Sequence, residues 1–259
     1  MNSLDMWVAP SLTDGLGNRL FQFACAKKYA EKHNKTLVFF LPRCKPTGHG
    51  DFENIFKMFP EVPIIETEDS WSEIEGKEYF VYEEMPYVEG NVVIKGSRQA
   101  YKYFEDIILE PDFPVNKELL QKYIKPNMYF IHLRLGDFRN LPHHQIELLT
   151  YYNEAIKHIP SDVNILVFSN EPEVAKQMFR GFTVVDEDEL ESLYLMSLCT
   201  KGAIVANSTF SYWGSYFSHK EDSVCIFPDS LGKGMPEPKD YYPPWAFKLH
   251  SSPRLEPKQ

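Results

Sequence analysis

The feature that most constrains the fold of this chain is a regular alternation of short apolar segments with helical segments between Tyr129 and Pro228. Short apolar runs bounded by turn residues are typical of strands that are buried on both faces of a parallel sheet. Five such strands joined by helices predict an α/β fold with right-handed crossovers, the topology of a nucleotide-binding domain. The predicted strands begin at Tyr129, Asn164, Phe182, Gly202 and Val224.

A second, less regular unit precedes this alternation. A strand from Met6 to Pro10, a glycine turn, a helix and a strand from Thr36 to Leu41 form one strand-helix-strand unit. A chain of 259 residues is long enough for two such domains. We therefore predict an N-terminal Rossmann-like domain over residues 1–125 and a second domain over residues 126–259, with the C-terminal segment packing back onto the body.

The first predicted strand of the second domain, YFIHLRLGD, carries two polar residues in an apolar context. Side chains alternate across a strand, so His132 and Arg134 share one face, opposite Tyr129, Ile131, Leu133 and Leu135. A covered arginine needs an anion, and its planar fork suits a carboxylate or a phosphate. Two interpretations stay open from the pattern alone, a structural ion pair and a ligand site at the carboxyl end of the strand.

Gly15 and Gly17 lie just ahead of the first predicted helix. Glycines at a helix start let backbone N–H groups approach a phosphate or a sugar, although the same pair is common in an ordinary tight turn. A dinucleotide-binding fold would place a third glycine where Leu20 stands, which counts against a Rossmann oxidoreductase.

Several hydroxyl groups occupy the junction between the strand that begins at Gly202 and the next helix. Asn207, Ser208, Thr209, Phe210 and Ser211 span this junction. One polar residue suffices to cap the helix. The additional hydroxyl groups indicate a phosphate-binding site at the carboxyl end of the strand.

Composition excludes several classes of function. The chain has 27 basic and 37 acidic residues, a net charge of −10, and no basic run, which argues against nucleic acid and anionic lipid as partners. The four cysteines form no CxxC pair, so buried free thiols are expected and a zinc site is not. No signal peptide or membrane-spanning stretch is present in the sequence given, and we expect a cytoplasmic protein or a catalytic fragment cut from its anchor.

The ordered motifs resemble those of glycosyltransferase family 11, the α-1,2-fucosyltransferase family. The matching segments are GLGNRLFQFACAKKYA, GSRQAYKYF, IHLRLGDF, VFSNEPEVAK, LYLMSLC, ANSTFSYWGSYF and IFP. The resemblance implies a GT-B-like architecture of two Rossmann-like domains facing a cleft, with the nucleotide sugar held by the C-terminal domain and the acceptor on the N-terminal side. It implies an inverting, metal-independent transfer of L-fucose from GDP-fucose to a sugar hydroxyl, the 2-hydroxyl of a galactoside, in carbohydrate biosynthesis. No cofactor is implied beyond the donor substrate.

The resemblance also implies roles for individual residues. Arg134 would bind the diphosphate and stabilise the leaving GDP, and His132 would line the same pocket. The implied catalytic residues are Arg134, Asp137 and Asn18. The implied donor-binding residues are Gly15, Gly17, Asn18, His132, Arg134, Ser169, Asn207, Ser208, Thr209, Phe210 and Ser211.

The chain departs from the common family pattern at three positions. Asp14 stands where a glycine is usual, Arg19 replaces a glutamine, and Leu135 stands where the family often has a second arginine. The loss of that arginine leaves the donor sugar open, and the alternatives are another nucleotide sugar such as a rhamnose donor, or a non-catalytic binding protein. The general base is also open between Asp137 and Asp14. The sequence 186–188, Asp-Glu-Asp, looks like a metal-binding motif, but we expect it to open the following helix.

Overall fold

The computed structural model describes residues 6–46, 50–66, 70–77 and 79–251. The chain divides into two compact units. One comprises Met1–Asp112 with Pro238–Pro243, and the other comprises Phe113–Glu237 with Pro244–Gln259. Each unit contains parallel strands and helices, which confirms the predicted α/β class.

The first unit is built around a parallel sheet and one long helix. Its elements are β1 (Trp7–Pro10), α1 (Leu16–His33), β2 (Thr36–Leu37), β3 (Phe39–Phe40), α2 (Asn54–Met58), β4 (Ile64–Ile65), β5 (Trp71–Ile74) and β6 (Asn91–Ile94). Four strands form a sheet in the order β2-β1-β6-β5, and β3 pairs with β4 separately. Helix α1 is capped at its C-terminus by Asn34, which has a left-handed φ of 50° and donates its N–H to the carbonyl groups of Ala30 and Glu31.

The predicted strand from Thr36 to Leu41 is divided into two short strands. β2 pairs with β1, whereas β3 pairs with β4 in the other sheet. The change falls at Val38, whose N–H donates to the carbonyl of Val8, while the next N–H, of Phe39, donates to Pro63. The chain therefore changes partner within two residues, a break that hydrophobic periodicity does not record.

The second unit contains a six-stranded parallel sheet with the strand order of a Rossmann fold. Its elements are α3 (Lys117–Tyr123), β7 (Met128–Leu133), α4 (Leu148–Ile156), β8 (Asn164–Ser169), α5 (Pro172–Met178), β9 (Thr183–Val185), α6 (Glu189–Ser197), β10 (Gly202–Ile204), α7 (Thr209–Ser218), β11 (Val224–Pro228) and β12 (Ala246–Leu249). The spatial order is β9-β8-β7-β10-β11-β12, so the direction of winding reverses between β7 and β10. Every residue of β7 is buried, which explains its apolar sequence.

The apolar face predicted for β7 forms part of the core of the second unit. Tyr129, Ile131, Leu133 and Leu135 all belong to one buried cluster that includes Tyr151 of α4. The Tyr151 hydroxyl donates to the carbonyl groups of Val205 and Ile226, so it ties α4 to the neighbouring strands. The prediction of this face is confirmed.

Two features of the second unit differ from the predicted domain plan. The compact units divide after Asp112, earlier than residue 125, because α3 is bound to the second unit. Lys122 and the hydroxyl of Tyr123 both donate to Glu187, at 2.6 and 2.7 Å. The C-terminal segment supplies a sixth strand, β12, parallel to β11, and also the piece Pro238–Pro243 of the first unit.

Candidate active site

The candidate site lies at the topological switch point of the six-stranded sheet, beyond the carboxyl ends of β7 and β10. Open α/β sheets bind ligands at this position because the loops after the two strands diverge and leave a crevice. His132 lies in β7, Arg134 follows its last residue, and Asn207 follows the end of β10. The topology thus places two of the sequence motifs at neighbouring strand ends.

Arg134 is the first residue of the loop, residues 134–147, that joins β7 to α4. Its Nη2 donates to Oδ1 of Asp137 at 2.6 Å, and its guanidinium lies 4.8 Å from the centre of the Phe138 ring. The Phe138 ring in turn stacks on His144, with ring centres 4.2 Å apart and an interplanar angle of 7°. The partner that the sequence required for a covered arginine is therefore Asp137 in this structure.

His132 is a buried histidine held in its neutral form. Burial, reinforced by the charge of Arg134, lowers the pKa of His132 to about 3. Its Nδ1 is buried and has no hydrogen-bond partner among the residues that the structure describes. The ring lies 5.8 Å from that of Phe210, and its carbonyl accepts the hydroxyl of Tyr152. A buried nitrogen left without a partner is the polar atom here best suited to a ligand.

The residues after β10 are mostly engaged with backbone groups. The Nδ2 of Asn207 donates to the carbonyl groups of His144 and Leu231, at 2.7 and 3.1 Å. The buried hydroxyl of Ser211 accepts from the N–H of Ala206 and donates to the carbonyl of Ser208. Asn207 therefore ties the loop after β7 to the loop after β11, and Ser211 braces the turn into α7.

Ser208 and Thr209 begin α7 at the same strand end. Ser208 is the N-cap residue, and its side chain makes no capping hydrogen bond within the described part of the chain. Thr209 and Phe210 are partly buried. The geometry of a helix start beside the site is as predicted, and the binding roles of these residues stay predictions.

Two further residues at the site were missed in the sequence. The Oδ1 of Asn170 accepts the N–H of Leu135 at 2.8 Å, and Oε1 of Glu171 accepts the N–H of Gly136 at 2.7 Å. The predicted donor-binding residue Ser169 uses its hydroxyl to accept the N–H of Glu171. Their position directly after a predicted strand could have identified them, because polar residues that follow one strand of a parallel sheet lie beside the end of the neighbouring strand.

The first unit holds the remaining predicted residues. Gly15 is the N-cap of α1, and Gly17 lies inside the first turn instead of ahead of the helix. The Oδ1 of Asn18 accepts a hydrogen bond from Gln99 at 2.9 Å. Arg19, one of the three departures from the family pattern, is 1% exposed and donates to the carbonyl groups of Asp14, Asp51 and Phe52.

The acidic motif at residues 186–188 has a structural place. Asp188 caps α6 by accepting the N–H of Glu191, as predicted, and Glu187 binds α3. Among the described residues, no group of three or more His, Cys, Asp or Glu side chains could hold a metal ion.

The four cysteines are free thiols, three of them buried. No helix of the described chain has the length and apolar character that a membrane span requires.

Comparison with solved structures defines the class of fold. The fucosyltransferase NodZ from Bradyrhizobium superposes with a TM-score of 0.55 at 16% identity, covering 82% of this chain and 92% of that one. A NodZ α-1,6-fucosyltransferase co-crystallised with GDP gives a TM-score of 0.51 at 14% identity, with the same coverage. The chain therefore has the GT-B-like fold of these fucosyltransferases.

Two sequence relatives narrow the comparison. The O-antigen biosynthesis glycosyltransferase WbnK of Escherichia coli is 31% identical over 169 aligned positions, which span 52% of this chain and 55% of that protein. An α-1,2-colitosyltransferase of Escherichia coli is 27% identical over 277 aligned positions, 85% of this chain and 91% of that one. No protein-family model matches the chain, so the resemblance to glycosyltransferase family 11 stays a prediction.

Proposed function

We propose that this protein is an inverting glycosyltransferase that moves L-fucose from GDP-fucose to a sugar hydroxyl of a glycan, the 2-hydroxyl of a galactoside, in an α-1,2 linkage. The observation that carries the proposal is the position of Arg134 close to buried His132, whose Nδ1 has no partner in the described part of the chain, at the topological switch point of a Rossmann sheet. The glycosyltransferase relatives and the fucosyltransferase fold support it.

The reaction assigns one task to Arg134 and another to Asp137. The acceptor oxygen bonds to the anomeric carbon of fucose while the bond from that carbon to the β-phosphate oxygen breaks. The leaving GDP gains negative charge, which the guanidinium of Arg134 offsets. The proton of the acceptor hydroxyl passes to a carboxylate, for which Asp137 is our first candidate and Asp14 the second. No metal and no cofactor is required in this scheme.

The ion pair between Arg134 and Asp137 connects these two tasks. In the structure the carboxylate of Asp137 accepts a hydrogen bond from Nη2 of Arg134. A donor diphosphate would compete for the same guanidinium and would release Asp137 to accept a proton. The proposal therefore couples donor binding to the availability of the base.

A second candidate donor is favoured by one comparison. The α-1,2-colitosyltransferase aligns along most of both chains, so transfer of colitose from its activated form is the alternative. Both candidates share the fold and the predicted role of Arg134, and only a comparison of donors distinguishes them. A non-catalytic protein would bind the nucleotide without turnover.

The test begins with the nucleotide. We expect GDP to raise the unfolding temperature more than UDP or dTDP, and GDP-fucose to be consumed at equal rates with and without a metal chelator. Preference for another nucleotide would replace the donor, and faster turnover of activated colitose would replace the sugar.

Arg134→Ala tests the site itself. We expect turnover to fall by roughly 100- to 1,000-fold with the protein still folded, because the leaving group loses its cationic partner. Arg180→Ala, which alters an exposed arginine of the same unit, is the matched control and should keep the normal rate. A near-normal rate in Arg134→Ala would contradict the assignment.

A further inference from the structure

The backbone of the loop that carries Arg134 is held by two side chains from the neighbouring strand. Asn170 and Glu171, which we call the amide clamp, accept the N–H groups of Leu135 and Gly136, at 2.8 and 2.7 Å. These are the two amides that directly follow Arg134. Beyond the end of a strand the backbone N–H groups no longer have acceptors in the sheet, so each of them needs another hydrogen-bond acceptor.

The outer oxygen of Glu171 adds a second contact to the same loop. Its Oε2 lies 2.7 Å from Nη2 of Arg139, and its own N–H donates to the hydroxyl of Ser169 at 3.0 Å. One carboxylate thus bonds the loop at Gly136 and at Arg139, and the hydroxyl of Ser169 at the end of β8 holds the backbone of Glu171. Few loop conformations satisfy both contacts.

Gly136 shows how closely the loop and the clamp fit. Its φ is +64°, a conformation that residues with a side chain rarely adopt. A Cβ added at this position would lie 2.4 Å from Nδ2 of Asn170, closer than real contacts allow. Position 136 therefore favours glycine for two reasons, its positive φ and the close approach of Asn170.

We propose that Glu171 is a positioning residue for the transfer reaction, which holds the loop so that Arg134 and Asp137 meet the donor's diphosphate and the acceptor in the productive geometry. The inference rests on the proposed function and extends it to a residue that acts through its contacts with Gly136 and Arg139. Displacement of a catalytic group by about 1 Å can cost roughly 100-fold in rate. Loss of the clamp should therefore reduce kcat more than it changes KM for the donor.

The test uses three variants of the full chain. Glu171→Ala removes both contacts. Glu171→Gln keeps an oxygen that can accept the N–H of Gly136. Glu173→Ala is the matched control, because Glu173 lies two residues further on, in the first turn of α5, and pairs with Lys176 on the surface.

The first measurement, residue-resolved amide hydrogen exchange, needs no ligand. We expect Glu171→Ala to speed exchange at Gly136 by tenfold or more, and Glu171→Gln and Glu173→Ala to remain within about threefold of the wild type. Unchanged exchange at Gly136 in Glu171→Ala would overturn the proposal.

The second measurement is steady-state kinetics with the donor. We expect kcat of Glu171→Ala to fall by roughly 10- to 100-fold with KM changed less than threefold, and Glu171→Gln to recover most of the loss. Equal loss in both variants would overturn the proposal, because the charge and not the hydrogen bond would then be responsible. If the wild type neither binds GDP nor transfers a sugar, the proposed function fails, while the exchange measurement still decides whether Glu171 holds the loop.

Discussion

At the scale of single residues, Asp137 is the clearest test of how binding and catalysis are linked. We predict that Asp137→Asn lowers turnover by roughly 100-fold or more, since the acceptor proton loses its base. We also expect GDP to bind several-fold more tightly, because the diphosphate no longer competes with a carboxylate for Arg134. Calorimetric titration and initial rates measure the two effects.

The rival base provides the control for this prediction. Asp14→Asn should leave turnover within about threefold of the wild type if Asp137 is the base. The opposite pattern, with turnover lost in Asp14→Asn and kept in Asp137→Asn, would move the role to Asp14.

The second residue of interest, His132, makes stability depend on pH. In the fold its pKa is about 3, whereas an unfolded histidine titrates near 6.5. Between these values only the unfolded state binds the proton, so stability falls as pH drops from about 6.5 towards 3, by at most about 1.4 kcal/mol per pH unit. We predict that His132→Phe flattens this slope, measured by urea unfolding between pH 4 and pH 6.5.

Other histidines also contribute to the dependence of stability on pH. Burial also lowers the pKa of His33, His144 and His219, so the His132→Phe variant keeps a smaller slope of the same sign. The control is His158→Gln, which alters an exposed ring. Equal slopes in the wild type and His132→Phe would contradict the assignment of a strongly lowered pKa to His132.

At the scale of elements, the turn after β7 depends on one glycine. We predict that Gly136→Ala destabilises the protein and weakens GDP binding, because the added Cβ meets Asn170. Gly181 is the matched control, since its φ is +92° and a Cβ there meets nothing within 4 Å. Gly181→Ala should cost about 1–2 kcal/mol from backbone strain alone. Equal free energies of unfolding for the two variants, with normal GDP affinity, would contradict the close fit.

The elements also show how much of the fold the sequence predicts. The strands of the second unit were predictable because burial on both faces of a parallel sheet leaves continuous apolar runs, as in β7 and β8. β12 was not predicted as a strand, because two of its four residues are exposed and its place depends on the free edge of β11. Its local sequence, AFKL, carries little information about that edge.

The site was predictable only where its residues follow one another in the chain. His132, Arg134 and Asp137 lie within a single motif, and their places at the end of β7 follow from the period of a strand. Glu171 contacts Gly136 from another strand, so its part in the site depends on β7 and β8 being neighbours in the sheet. The pairing of β7 with β8 depends on the strand order of the sheet, and the sequence pattern is compatible with several strand orders.

At the scale of the whole molecule, a late segment of the chain, residues 238–243, completes the first unit. Tyr241 is 2% exposed and packs on Phe21 and Phe80, with ring centres 5.9 and 5.4 Å away. The carboxylate of Asp240 accepts the N–H of Tyr82 at 2.9 Å. Residues 238–243 are thus part of a core whose other members come from the first 112 residues. A fragment that ends at the first boundary would lack this contact.

We therefore predict that Tyr241→Ala lowers the free energy of unfolding by about 3–5 kcal/mol, the usual cost of removing a large buried aromatic side chain. Tyr79→Ala, at a tyrosine that is 53% exposed in the same unit, should change it by less than about 0.5 kcal/mol. Urea unfolding monitored by far-UV circular dichroism measures both. A loss below about 1 kcal/mol for Tyr241→Ala would contradict the assignment of the Tyr241 ring to the core of the first unit.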